Sequence, residues 1–160
     1  MKHRLRLIGL ALFLVLVGIQ FIRPKENLGA TGGPNDLTAR KDVPDDVRKL
    51  LADACYDCHS NHTRYPWYAS VQPVAWWLDH HVREGKHELN FSEFGTYSAR
   101  RAAHKFAAIV KKVSRDDMPL GSYTWMHPAA RLTPGEKKKL VDWAQALHDK
   151  LPPEPVDTAR

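Results

Sequence analysis

The sequence predicts a mostly α-helical domain, a bundle of about four helices, and three observations carry that expectation. Apolar residues recur at three- and four-residue intervals in four separate windows between residues 43 and 150. Helix-start chemistry stands at the head of each window: Pro44-Asp45-Asp46, Pro73, Ser98 and Thr133-Pro134-Gly135-Glu136. The first window runs directly into Cys55-Tyr56-Asp57-Cys58-His59, which holds both cysteines of the 160-residue chain.

The first helix places Val47, Leu50, Leu51 and Ala54 on one face and delivers Cys55 at its C-terminal end. Ser60 to Pro66 reads as a loop, followed by an aromatic cluster, Tyr65, Trp67 and Tyr68, that either lines a ligand or fills the core. Pro73 opens a second helix with Val74, Trp77, Leu78, His81 and Val82 on one face, and Gly85 is its expected stop. His80 and His81 are expected as satisfied core histidines. Leu89 to Phe94 lacks a helical period and is expected to be an extended connection. Ser98 caps a third helix whose apolar face is Ala102, Phe106, Ile109, Val110 and Val113. That helix breaks near Arg115 to Leu120, where Pro119 biases Met118 away from helix. Thr133 and Glu136 form a capping box for a fourth helix carrying Leu140, Trp143, Ala144 and Leu147. Residues 151–160, rich in proline, are expected to be a disordered tail.

Ahead of the domain, Met1 to Arg6 is basic, and Leu7 to Ile22 is a 16-residue apolar stretch with only Gln20 strongly polar. As a helix that stretch is about 24 Å long, slightly short of the ~30 Å hydrocarbon core. Residues 1–23 therefore read as an uncleaved signal-anchor or, alternatively, a signal peptide, with the N-terminus held in the cytoplasm by its cations. Residues 24–42, with Gly29, Gly32, Gly33 and Pro34, read as a flexible linker. The formal charge of +6 is concentrated at the start, since Lys2, Arg4, Arg6, Arg23 and Lys25 face only Glu26 in the first 26 residues. That leaves +2 for the rest of the chain, and a nucleic-acid partner is excluded on that distribution.

Two cysteines and nine histidines placed at random would give Cys-x-x-Cys-His in about one chain in a thousand. The motif is the signature of covalent c-type haem attachment. Thiols three residues apart on one turn can add to the two vinyl groups along one porphyrin edge, and the histidine behind them reaches the iron as proximal ligand. A thioredoxin-like dithiol would need a βαβ context that the chain does not show. A zinc site would need four ligands, for which His81 and His87 are available but distant in sequence from Cys58. A disulfide across so tight a loop would leave His59 unexplained. For the distal iron ligand, Met118 in its Asp-Met-Pro loop is the first candidate, with His127 as rival and Met126 or an open site behind it.

Taken together, these residues resemble the bacterial haem-binding-domain cytochromes of c type. The likeness runs from about Val43 to Trp143 through Cys-Tyr-Asp-Cys-His-Ser-Asn at 55–61, Thr63, Pro66-Trp67-Tyr68, Pro73-Val74, Trp77, His81-Val82, Gly85 and Leu89-Asn90-Phe91-Ser92. It continues with Met118-Pro119-Leu120, Tyr123, His127, Ala130, Leu132 and Glu136, while Phe94 stands where that family is expected to have tryptophan. The resemblance implies a cytochrome c-like, class I-like bundle around one haem c, often membrane-tethered and periplasmic. The expectation is therefore a monohaem electron carrier rather than an enzyme, held at the bacterial inner membrane with a periplasmic domain and serving protein redox partners; cleavage of the segment would make it soluble in the periplasm. A haem enzyme or a gas or peroxide sensor with an open distal site is the alternative, using His62, His81, His104 or His127 as distal group. A zinc module is the third.

Overall fold

The computed structural model describes residues 1–151, so the expected tail lies, beyond Leu151, outside the described residues. Among the described residues seven helices follow one another: α1 Lys2–Ile19, α2 Asp45–Ala54, α3 Tyr56–His59, α4 Val74–Glu88, α5 Ala99–Ser114, α6 Gly121–Met126 and α7 Pro134–Asp149, joined by short 3-10 turns. Among the described residues the only β-pairing is an isolated bridge between Leu28 and His62.

The structural half is an α5–α7 hairpin with α2 packed across it. The two capping predictions hold atom for atom: Ser98 Oγ accepts from the Arg101 amide, and Thr133 and Glu136 exchange side-chain and backbone bonds. The faces read from the sequence are the buried ones: Val47 and Leu51 from α2, Phe106, Ile109 and Val113 from α5, and Leu140, Trp143, Ala144 and Leu147 from α7. Phe106 packs between Phe94 and Trp143, with ring centroids at 5.0 and 5.7 Å. Each such fully buried side chain stabilises the fold by roughly 1.5–3 kcal/mol.

The structure departs from the sequence reading in four places. Residues 24–42 are not a flexible linker over most of their length but a strap laid on the domain. Asn27 accepts from the Thr63 amide at 2.9 Å, and its own amide donates to Tyr65 Oη at 2.7 Å. Leu37 is fully buried, and Asp36, also buried, accepts from the Gly32 and Thr38 amides and from Tyr56 Oη. The glycines that suggested mobility conceal one apolar anchor, and a single buried leucine suffices to hold a short strap. Gly85 does not end its helix, which runs on to Glu88. Its role is space, because a Cβ there would lie 2.7 Å from the Cys58 carbonyl oxygen. The stretch after Leu89 is extended only through Asn90, then coils into a 3-10 turn, Phe91–Thr96, with Phe91, Ser92 and Phe94 buried. Finally α6 was not legible: Gly121-Ser122-Tyr123-Thr124 is a poor helix former, and six residues are too few to show a period.

The α1 helix carries Lys2, Arg4 and Arg6 in its first turns and leaves every residue from Lys2 to Val17 exposed. No helix among the described residues is long and apolar enough to cross a membrane.

Candidate haem site

Helix α2 ends at Leu51 to Ala54, and Cys55 breaks its geometry with φ −129° before the chain re-enters the single turn α3. That break gives the motif its own short turn, on which the amides of Cys58 and His59 both bond to the Cys55 carbonyl. Cys55 packs against the hydrophobic core, whereas Cys58 lines a cleft. Both thiols are free. Burial pushes the Cys55 thiol up to about 12 and the Cys58 thiol up to about 11. A dithiol used for exchange has its thiolate stabilised, so this environment does not suit thioredoxin-like chemistry.

His59 is held by the helix that Gly85 brings close. Its Nδ1 donates to the carbonyls of Gly85 at 2.8 Å and Leu89 at 3.0 Å. Both partners can only accept, so Nδ1 carries the proton and Nε2 the lone pair. Burial lowers the His59 pKa, outweighing the two carbonyls that raise it, and the ring stays neutral near pH 7. A neutral imidazole pinned through Nδ1 by backbone carbonyls is the form in which histidine ligates a metal through Nε2.

The cleft beside Cys58 has a volume of about 350 Å³. One wall is the face of α4 formed by Val74, Trp77, Leu78 and His81, at helical spacing, and the opposite wall is Leu120 with α6 residues Tyr123 and Met126 and the adjoining His127. Trp77 and Trp125 are 47% and 75% exposed, respectively, and Met126 is 43% exposed, an apolar opening that water leaves poorly served. His81 is therefore a cleft residue and not the core histidine expected; its Nδ1 bonds to the Trp77 carbonyl at 2.8 Å.

A polar network fixes α6 against the motif. Buried Asp57, the third residue of Cys-Tyr-Asp-Cys-His, accepts from Tyr123 Oη at 2.6 Å and from Arg64 Nε at 2.9 Å. Burial and that bond to Asp57 both push the Tyr123 hydroxyl up, so it remains a donor. Tyr123 stacks on His127 at 4.1 Å, and His127 spends both ring nitrogens, Nδ1 on the Tyr123 carbonyl and Nε2 on Tyr68 Oη. The sequence reading held Asp57 and Tyr123 only as residues of the resemblance, without a role, and did not single out Arg64; their meeting is a long-range contact that no local spacing encodes.

Of the residues singled out from the sequence, Cys58, His81, Met126 and His127 line the cleft, and Cys55, His59 and Met118 do not. Met118 is half-buried in the loop entering the cleft wall at Leu120. Among the described residues no three His, Cys, Asp or Glu side chains come together as a metal-ion ligand set, so the zinc reading finds no coordination shell there. Two free thiols on one turn, a histidine pinned through Nδ1 directly behind them and an apolar cleft beside Cys58 fit haem.

No curated protein matches the chain, and no solved structure matches it. A family model described as a haem-binding domain matches residues 14–146, a span that begins inside α1 and takes in the whole strap. By that match over most of its length, the chain belongs to the haem-binding domain family.

Proposed function

We propose that the protein is a monohaem c-type cytochrome, tethered to the bacterial inner membrane by α1 with its domain in the periplasm, that carries single electrons between protein redox partners. The observation that carries this reading is His59, pinned through Nδ1 by two backbone carbonyls, directly behind two free thiols. Bound haem would supply reversible one-electron chemistry. Cys55 and Cys58 would hold it through thioether bonds, and His59 would donate its Nε2 lone pair to the iron. Trp77, Leu78, Val74 and Leu120 would exclude water from its faces, which limits the reorganisation that accompanies electron transfer. The short apolar run of α1 anchors by burying Leu7 to Ile19 in lipid while Lys2, Arg4 and Arg6 reach the headgroups.

For the distal ligand we propose a thioether, supplied by Met118. His127 is the weaker rival because both of its nitrogens are already hydrogen-bonded. A second source is favoured by one observation: Met126 itself lines the cleft. Met118→Ala is expected to abolish the low-spin six-coordinate spectrum of the reduced protein, while Met126→Ala leaves it intact. The opposite pattern would transfer the role to Met126. Rapid carbon monoxide binding by the untreated protein would instead favour the enzyme or sensor alternative.

A further inference from the structure

The junction between α1 and the domain is not a loose hinge. Gln20 and Gln72 exchange two bonds: Gln20 Nε2 donates to the Gln72 carbonyl at 3.2 Å, and the Gln72 amide donates to Gln20 Oε1 at 2.9 Å. Gln72 Nε2 and Trp76 Nε1 both donate to the Ile22 carbonyl, each at 2.9 Å. Gln72 is buried, so this clamp is part of the fold rather than a surface accident. The end of the apolar helix is thereby fastened to the start of α4, one position in sequence from the cleft-lining Trp77.

Around that clamp lies an unusual concentration of exposed apolar surface. Phe21, Ile22 and Trp67 are 84%, 62% and 79% exposed, and Val71 and Val74 are exposed as well. Trp67 packs edge-on against Tyr68, a cleft residue, so the patch is continuous with the rim of the cleft. The basic residues Arg23 and Lys25 are exposed beside it, with Glu26 next in the chain; Lys25 also borders a wide hollow lined by Glu26, Asp79, Arg83 and Lys86, where Arg83 pairs with Asp79. Tryptophan with flanking Lys and Arg, next to the end of an apolar helix, is the chemistry of a membrane–water interface.

We propose that this face, Trp67, Val71, Phe21 and Ile22 with Arg23 and Lys25, docks on the lipid surface itself and holds the cleft mouth at headgroup depth. The inference rests on the membrane-tethered haem reading and adds an orientation to it. The domain does not swing on a tether; it lies on the bilayer with the rim of its cleft turned to a reaction partner in or at the membrane.

The test uses the full, haem-loaded chain in oriented multilayers of phosphatidylcholine and phosphatidylglycerol, reading the ferric haem by electron paramagnetic resonance as the sample is turned in the field. The wild type is expected to show a strong angular dependence, and Trp67→Ser with Val71→Ser to lose at least half of it with haem content unchanged. Both side chains are exposed, so the variant spares the core. An angular dependence equal in variant and wild type, or absent in both, would overturn the docking face. Pelleting with vesicles of the same lipids separates the readings: a chain that stays in the supernatant refutes the tether, whereas one that pellets but shows no preferred angle refutes only the orientation.

Discussion

The two halves of the domain are built to different standards of closure. In the half made by α2, α5 and α7, every apolar face meets another, and Phe106 and Leu140 are almost entirely hidden from water. In the half made by α3, α4 and α6, tryptophans stand in solvent around a cleft of about 350 Å³, and the Tyr123 hydroxyl on its wall donates to buried Asp57. In the proposed reading the open half is where haem, a bulky and largely apolar group, is seated. The closed half supplies rigidity; in the open half Cys58 and α6 line the cleft, and in the proposed reading His59 serves from behind Cys58.

Substitutions should separate the halves by size of effect. Phe106→Ala, in the closed half, is expected to cost about 3–5 kcal/mol in denaturant unfolding. A loss under 1 kcal/mol would mean that the hairpin is not the main core. Gly85→Ala joins the two halves: a Cβ would press on the Cys58 carbonyl at 2.7 Å, so α4 must shift and carry its His59-holding carbonyls with it. The expected outcome is a several-fold lower haem-to-protein ratio in expressed material at little cost in helix content. Wild-type haem loading would show that the close approach is dispensable.

Asp36 tests the strap. Burial alone would raise its pKa, but hydrogen bonds from Tyr56, Gly32 and Thr38 outweigh it and hold the carboxyl below its ordinary value of 3.8. A group with a depressed folded pKa contributes stability that is fully present above the unfolded value and is lost as pH falls through the folded one. Stability should therefore decline below about pH 4, and Asp36→Asn should flatten that decline. An identical acid slope in the variant would show that Asp36 has no part in the acid sensitivity. The smallest effect belongs to the open half: Trp67→Ser in detergent solution should change stability by less than about 0.5 kcal/mol.

The closed half was largely legible in the sequence, because its determinants are local. Ser98, Thr133 and Glu136 cap within three residues, and Phe106, Ile109 and Val113 repeat with the helix. The open half was legible only in its covalent motif. Gly85 looked like a helix stop because the reason for it, the backbone of Cys58, lies 27 positions away in sequence. Asp57, Arg64 and Tyr123 act through contacts that no spacing rule encodes, and the strap concealed its anchor, Leu37, in a glycine-rich stretch. Long-range placement, not residue type, separates what could be read from what could not.

The proposed attachment of haem is covalent, through Cys55 and Cys58 with His59 behind them. It is tested most directly by a pyridine haemochrome spectrum of the chain, co-expressed with c-type maturation machinery, denatured and extracted with acidified organic solvent. About one haem is expected to be retained per chain, with the spectrum of a porphyrin whose two vinyl groups are saturated. Cys55→Ser or Cys58→Ser should each leave one vinyl and shift the band to longer wavelength. Haem removed by the extraction, or a chain carrying zinc and no haem, would contradict it.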